Sequence, residues 1–230
     1  MSYRSGRHFL QIPGPSNTPE RILRAIDSAV MDHRGPEFGV MARSLLDELK
    51  LIFNTEDEVL IFPASGTGAW EAALVNTLSP GDRVVMYESG HFATLWRDLA
   101  NRLGFRAEFI DGDWRNPINP SLLENLLVDD SAGEIKAVCI VHNETSTGMV
   151  NDIGAVRNVM DSSGHDALLM VDTISGLGSI EYSHDKWGVD VTIAGSQKGL
   201  MMPPGLSFNA ISAKAKELRM YIEPLVTFAK

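Results

Sequence analysis

The 230-residue chain has a single cysteine, Cys139, so a disulfide framework and a cysteine-based metal site are both excluded. That cysteine sits in the apolar run Ala137-Val138-Cys139-Ile140-Val141, where a free thiol reads as buried strand packing. Positive charge is also in short supply. Twenty Lys and Arg against thirty Asp and Glu give a formal net charge of -10, which argues against a general nucleic-acid surface. Any anion site must then be built locally, from backbone N–H groups, hydroxyls or one lysine. No run approaches the ~20 apolar residues of a membrane span. The opening Met1-Ser2-Tyr3-Arg4-Ser5-Gly6-Arg7-His8 lacks the apolar core of a secretion signal. The expectation is a cytoplasmic protein with neither membrane nor nucleic acid as partner. Neither an internal repeat nor a low-complexity tract stands out.

The composition is that of an ordinary globular protein, with 44% hydrophobic and 22% charged residues. Short apolar runs alternate with longer amphipathic ones. Strands are predicted at residues 58–62, 83–87, 106–110, 137–141, 167–171, 189–194 and 205–211. Helices are predicted at 68–78, 92–102, 120–128 and 152–162, and before the first strand at 19–30 and 39–53. This alternation predicts an α/β fold of three layers, with a mainly parallel seven-stranded sheet covered on both faces. Residues 1–20 read as an extended, Pro-rich N-terminal arm, and 21–230 as one domain. Ligands of such sheets sit beyond the carboxyl ends of the strands, so the residues after each strand are the candidates for chemistry.

Three of those strand ends stand out. After the first strand comes Pro63-Ala64-Ser65-Gly66-Thr67-Gly68-Ala69. Small residues, two hydroxyls and a helix N-terminus make a phosphate cradle, although the segment is neither a Walker loop nor a full dinucleotide fingerprint. A tight Gly-rich turn is the plainer alternative. Asp172 closes the apolar strand Leu168-Leu169-Met170-Val171, and a carboxylate there needs a cationic or hydrogen-bonding partner. A protonated pyridine nitrogen is one such partner; a turn cap is the alternative. Lys198 follows the sixth strand in Ala194-Gly195-Ser196-Gln197-Lys198-Gly199. Partial desolvation would free its amine as a nucleophile toward a carbonyl, whereas most lysines are simply solvated. No His/Asp/Glu cluster near Asp172 completes a metal site there. The order of cradle, acid and lysine along one sheet edge suits a single ligand carrying a phosphate, a basic ring nitrogen and an aldehyde.

At this point the sequence resembles the class V, fold-type I aminotransferases, especially the serine–glyoxylate and alanine–glyoxylate aminotransferases. The resemblance rests on Pro13-Gly14-Pro15-Ser16-Asn17, Asp32-His33-Arg34 with Pro36-Glu37-Phe38, Ser65-Gly66-Thr67-Gly68 and Gly90-His91-Phe92. It continues through Glu144-Thr145-Ser146-Thr147-Gly148, Val171-Asp172-Thr173 and Gly195-Ser196-Gln197-Lys198. It implies the large domain of a pyridoxal 5′-phosphate enzyme that moves an amino group from serine or alanine to glyoxylate. Small-molecule amino acids and 2-oxo acids would be its partners, and the family works as homodimers. Lys198 would hold the cofactor as a Schiff base and shuttle the α-proton, and Asp172 would pair with the ring nitrogen. Ser65, Gly66, Thr67 and Gln197 would hold the phosphate. Phe92 and Ile174 would cover the two ring faces, and Thr145 would hydrogen-bond the phenolic oxygen. Pro15, Ser16 and Asn17 would line the substrate pocket.

Members of the family are longer than this chain. The resemblance therefore implies that a small C-terminal domain and its carboxylate-binding arginine are missing, with transamination impaired. Residues 214–230 begin like the family's linking helix. Rival readings are another enzyme of the same fold, either a lyase or a desulfurase, or an inactive binding module on that fold. A desulfurase needs a mobile cysteine, and Cys139 lies inside a strand. A nucleotide-binding domain is a third rival, weakened by the incomplete fingerprint.

Overall fold

A computed structural model describes residues 9–218. Its centre is a seven-stranded sheet. The strands are β1 (Glu58–Phe62), β2 (Arg83–Tyr87), β3 (Arg106–Ile110), β4 (Ile135–Val141), β7 (Leu168–Asp172), β8 (Val191–Gly195) and β9 (Ser207–Ile211). They lie in the order β1-β9-β8-β7-β4-β2-β3. All pairings from β3 across to β8 are parallel. Strand β9 runs against both β8 and β1, so it is the one reversed strand of this sheet.

The centre of the sheet is buried on both faces, and every residue of β7 and β8 is buried. In β7, Leu168 and Met170 pack with α3 (Gly66–Thr77), α4 (His91–Arg102) and α7 (Ala213–Leu218). Leu169 and Val171 face the opposite way. They join a core with α2 (Pro36–Phe53), α5 (Pro120–Asp129) and α6 (Ile153–Ser162). This is the period-two consequence of a strand between two helical layers. Cys139 is 2% exposed, on the α3–α4 face.

Three helices differ from the sequence expectation by two residues or more at one end, and one hairpin is additional. The helix expected at 19–30 is α1 (Glu20–Ile26) and stops four residues early. Asp27 leaves helical geometry at ψ 54°, and none of the helix is buried, so nothing beyond propensity extends it. Helix α2 starts three residues earlier than expected, with Pro36 in its first turn, where a missing N–H costs nothing. Helix α3 starts at Gly66 rather than Gly68, which makes Ser65 its N-cap residue. A hairpin of β5 (Asn143–Glu144) and β6 (Met149–Val150) was not anticipated, since two-residue strands carry no periodicity. The part of the linking-helix expectation that concerns residues 219–230 lies outside the described residues.

Candidate active site

Parallel strands deliver their carboxyl ends to one sheet edge, and there the three singled-out segments meet. One cavity is lined by Ser65, Gly66, Thr67, Phe92, Thr145, Asp172, Ile174, Gln197 and Lys198. These come from five separate segments at strand ends, a hairpin and helix starts. Trp70, Val141, Asn143 and Ser175 line it as well, and the sequence reading had given them no role.

Helix α3 opens onto this cavity. Its N-cap, Ser65, makes no capping bond with its own side chain. The first-turn N–H groups and the positive end of the helix are therefore left for a ligand. Gly66 is required by space. A Cβ there would lie 2.3 Å from Ile174 Cδ1, too close for any side chain without displacing Ile174.

Asp172 is 3% exposed at the end of β7. Its Oδ1 accepts from the Ile174 N–H at 2.7 Å, and its Oδ2 accepts from Trp70 Nε1 at 2.9 Å. Burial pushes its pKa up to about 7; the two hydrogen bonds oppose that rise, and nearby Glu144 adds to it. A carboxylate held this way gains strongly from a cation placed against it. Trp70 is itself buried and stacks on Trp96 at 5.8 Å, which fixes the direction of its N–H.

Lys198 is half-buried, and its amine donates to the Pro13 carbonyl of the N-terminal arm at 3.2 Å. Burial lowers its pKa, and the Asp172 charge works the other way. The N-terminal arm holds this loop in place. The Ser16 N–H donates to the Gln197 carbonyl at 2.8 Å, and Ser16 Oγ donates to the Lys198 carbonyl at 2.9 Å. Gly14 has φ 151°, and a Cβ on it would meet Lys198 Nζ at 2.3 Å. Pro15, Ser16 and Asn17 themselves line a neighbouring surface cleft with Pro203 and Pro204, beside the cavity that contains Asp172. The Asn17 amide is engaged with the Leu10 backbone. Gln197 Oε1 is buried without a hydrogen-bond partner.

Phe92 sits in the first turn of α4, and Glu144 anchors that turn. The Glu144 carboxylate is fully buried and accepts from the Phe92 and Ala93 N–H groups at 3.3 and 3.2 Å. It also accepts from Ser146 N and Oγ, while Ser146 Oγ accepts from the His91 N–H. A negative charge at a helix N-terminus stabilises that end and fixes where Phe92 projects. Glu144→Gln replaces one acceptor oxygen by a donor facing N–H groups. The expected loss of stability is about 2 kcal/mol, read from urea denaturation.

The sequence matches the aminotransferase class-V family over residues 8–225. The chain belongs to the class-V aminotransferase family. It is 44% identical over 227 residues to a serine–glyoxylate aminotransferase of Arabidopsis thaliana, covering 98% of this chain and 57% of that protein. It is also 44% identical over 207 residues to an L-aspartate–glyoxylate aminotransferase of Paracoccus denitrificans, covering 90% and 52% respectively. Among solved structures, an alanine–glyoxylate aminotransferase from Nostoc sp. superposes with a TM-score of 0.87 at 29% identity, covering 96% of this chain and 57% of that one. The chain thus spans about half the length of these class-V relatives. The cofactor that the family implies is pyridoxal 5′-phosphate.

Proposed function

We propose that this chain is the cofactor-binding large domain of a transaminase that uses glyoxylate as amino acceptor and serine or alanine as donor. The observation that carries this reading is the convergence, on one cavity, of a helix-N-terminal cradle, a buried acid and a half-buried lysine. The similar proteins named above share glyoxylate in their names and differ in the donor, which supports the acceptor more firmly than the donor.

The residues fit pyridoxal phosphate on three counts. Burial outweighs the nearby Lys198 charge at the Asp172 carboxyl, and a protonated ring nitrogen would supply a further cation against it. The Gln197 side chain lines the cavity beside the cradle, where its NH2 group can donate to a phosphate. Glycines at 14 and 66 keep the space around Lys198 and Ile174 open. When bound, the cofactor supplies an aldehyde for the amino group and a ring that absorbs charge from the substrate α-carbon. Ser65 and Thr67 hydroxyls, the Gly66 N–H and the Gln197 amide would bind the phosphate. Phe92 and Ile174 would close over the two ring faces, and Thr145 would donate to the ring oxygen. Asp172, aimed by Trp70, would hold the proton on the ring nitrogen. Lys198 Nζ would be the covalent anchor and then the base that moves the substrate α-proton. The arm at Pro15, Ser16 and Asn17 would border the substrate's path.

A desulfurase is disfavoured by this site. Cys139 is fully inside the sheet, and burial drives its thiol pKa well above the ordinary value, so no thiolate is available. A lyase is separated from a transaminase by its products. The chain loaded with cofactor and given serine should release hydroxypyruvate, then glycine once glyoxylate is added. Pyruvate with ammonia from serine would replace the proposal by a lyase.

The same reading includes a homodimer. Helix α2 exposes Val40, Met41 and Leu45 at 63%, 46% and 45%, an apolar stripe on one helix face. Such a stripe on a folded chain marks an interface, and a second copy is its proposed cover. Leu45→Glu is expected to shift the chain from dimer to monomer in sedimentation equilibrium without loss of fold.

A further inference from the structure

The edge of the sheet opposite the cavity carries a second cluster of polar groups. One ring nitrogen of His184 and one carboxylate oxygen each of Asp57 and Asp185 lie within 4.8 Å of one another. Asp57 precedes β1, and His184 and Asp185 lie in the loop before β8, so two segments far apart in sequence meet here. His184 is only 1% exposed. Its Nδ1 lies 2.7 Å from Thr192 Oγ1, while its Nε2 is buried and has no hydrogen-bond partner. A buried imidazole nitrogen without a partner, beside two carboxylates, is costly unless something occupies the space between them.

We propose that Asp57, His184 and Asp185 form a site for a divalent transition-metal ion of the zinc type. The donor set of one imidazole nitrogen and two carboxylate oxygens suits such an ion, and water would complete its coordination. The surrounding bonds already orient the ligands. Asp185 Oδ1 accepts from Thr55 Oγ1 at 2.6 Å and its Oδ2 from the Glu56 N–H at 2.9 Å. Each oxygen keeps a lone pair for the ion. Metal binding at Nε2 requires the tautomer with its proton on Nδ1, and Thr192 Oγ1 is placed to accept that proton. Thr192 in turn meets Tyr182 Oη at 2.5 Å, which can take the hydroxyl hydrogen. This is the outer-shell relay that fixes a metal-bound histidine. The loops are also clipped by backbone bonds, His184 N–H to the Phe53 carbonyl at 3.0 Å and Asp185 N–H to the Asn54 carbonyl at 3.4 Å. These bonds hold the three ligand residues close together, so an ion needs only to draw their side chains in. An ion there would tie the connection before β1 to the loop before β8, as a structural clamp remote from the cofactor cavity.

The test is a calorimetric zinc titration of the chelator-treated full chain, with magnesium as the comparison ion. Wild type is expected to bind one equivalent of zinc at least tenfold more tightly than magnesium, with a raised melting temperature. Asp57→Asn, at the half-buried carboxylate of the cluster, should weaken that equivalent at least tenfold while leaving the metal-free melting temperature unchanged. His184→Gln should abolish it, and His33→Gln, at an exposed histidine elsewhere, should leave it intact. Equal zinc affinity in wild type and Asp57→Asn, or no preference over magnesium, would overturn the proposal and leave the cluster a hydrated loop junction.

Discussion

Lys198→Ala should abolish covalent retention of pyridoxal phosphate outright. Incubated with the cofactor and then with borohydride, the wild-type chain should gain one covalent adduct in its intact mass. The variant should gain none and should lose the visible absorption band that the reductant removes. The size of the effect follows from geometry. Among the residues lining the cavity, Lys198 is the one amine. Burial lowers its pKa, so a larger fraction is unprotonated and nucleophilic near neutral pH than for a surface lysine. The fold should survive the change. The side chain makes one hydrogen bond, to the Pro13 carbonyl, which in net terms stabilises by about 1 kcal/mol. The arm stays anchored through Ser16, whose partners are backbone carbonyls of Gln197 and Lys198 that alanine retains. Loss of the adduct, with stability lowered by no more than about 1 kcal/mol, is the expected pair of results.

Asp172→Asn should change stability and cofactor affinity in opposite directions. In the cofactor-free chain the carboxyl's pKa is raised by burial from 3.8 to about 7. A group whose pKa is higher in the folded than in the unfolded state favours folding at low pH. That contribution is lost as pH rises from near 4 through 7, because the unfolded chain releases the proton first. A shift of this size corresponds to a penalty on the order of 4 kcal/mol above pH 7. The cofactor-free asparagine variant should therefore melt higher than wild type at pH 8 and equal to it or lower at pH 4. With cofactor the order reverses. The ring nitrogen loses the anion that held its proton, and removing one partner of a buried ion pair weakens binding by about two orders of magnitude. Melting curves from pH 4 to 8, with and without cofactor, check both halves. A variant that matches wild type in pH dependence without cofactor would show that Asp172 is not the raised group.

How much of this was legible in the sequence depends on the range of each interaction. The strand runs were legible because a buried parallel strand is mostly apolar, as Leu168–Asp172 and Val191–Gly195 show. The cavity was legible because parallel strands all send their carboxyl ends to one edge, so Ser65, Asp172 and Lys198 had to be neighbours once the sheet was known. The reversal of β9 was not legible, since the composition of the five-residue strand Ser207–Ile211 does not encode its direction. Trp70 and Glu144 went without a role for a different reason. Their contacts, to Asp172 and to the start of α4, join residues 102 and 51–52 positions apart. Each looked like core tryptophan or loop acid until the fold closed. The arm shows the converse. Its Pro-rich motif marked it as special, but whether Ser16 faces substrate or backbone was set by tertiary contacts alone, and the structure places its hydroxyl on the Gln197–Lys198 backbone. The end of α1 was missed because polarity and propensity continue to Val30 while burial, which holds helices together, never begins.

The most direct test of a lysine-anchored cofactor on this sheet edge is peptide mapping after borohydride fixation of bound pyridoxal phosphate. A single labelled peptide carrying the modification on Lys198 is the expected finding. Label on Lys50, Lys214 or Lys216, or spread over several lysines, would contradict the assignment of the cavity at its root.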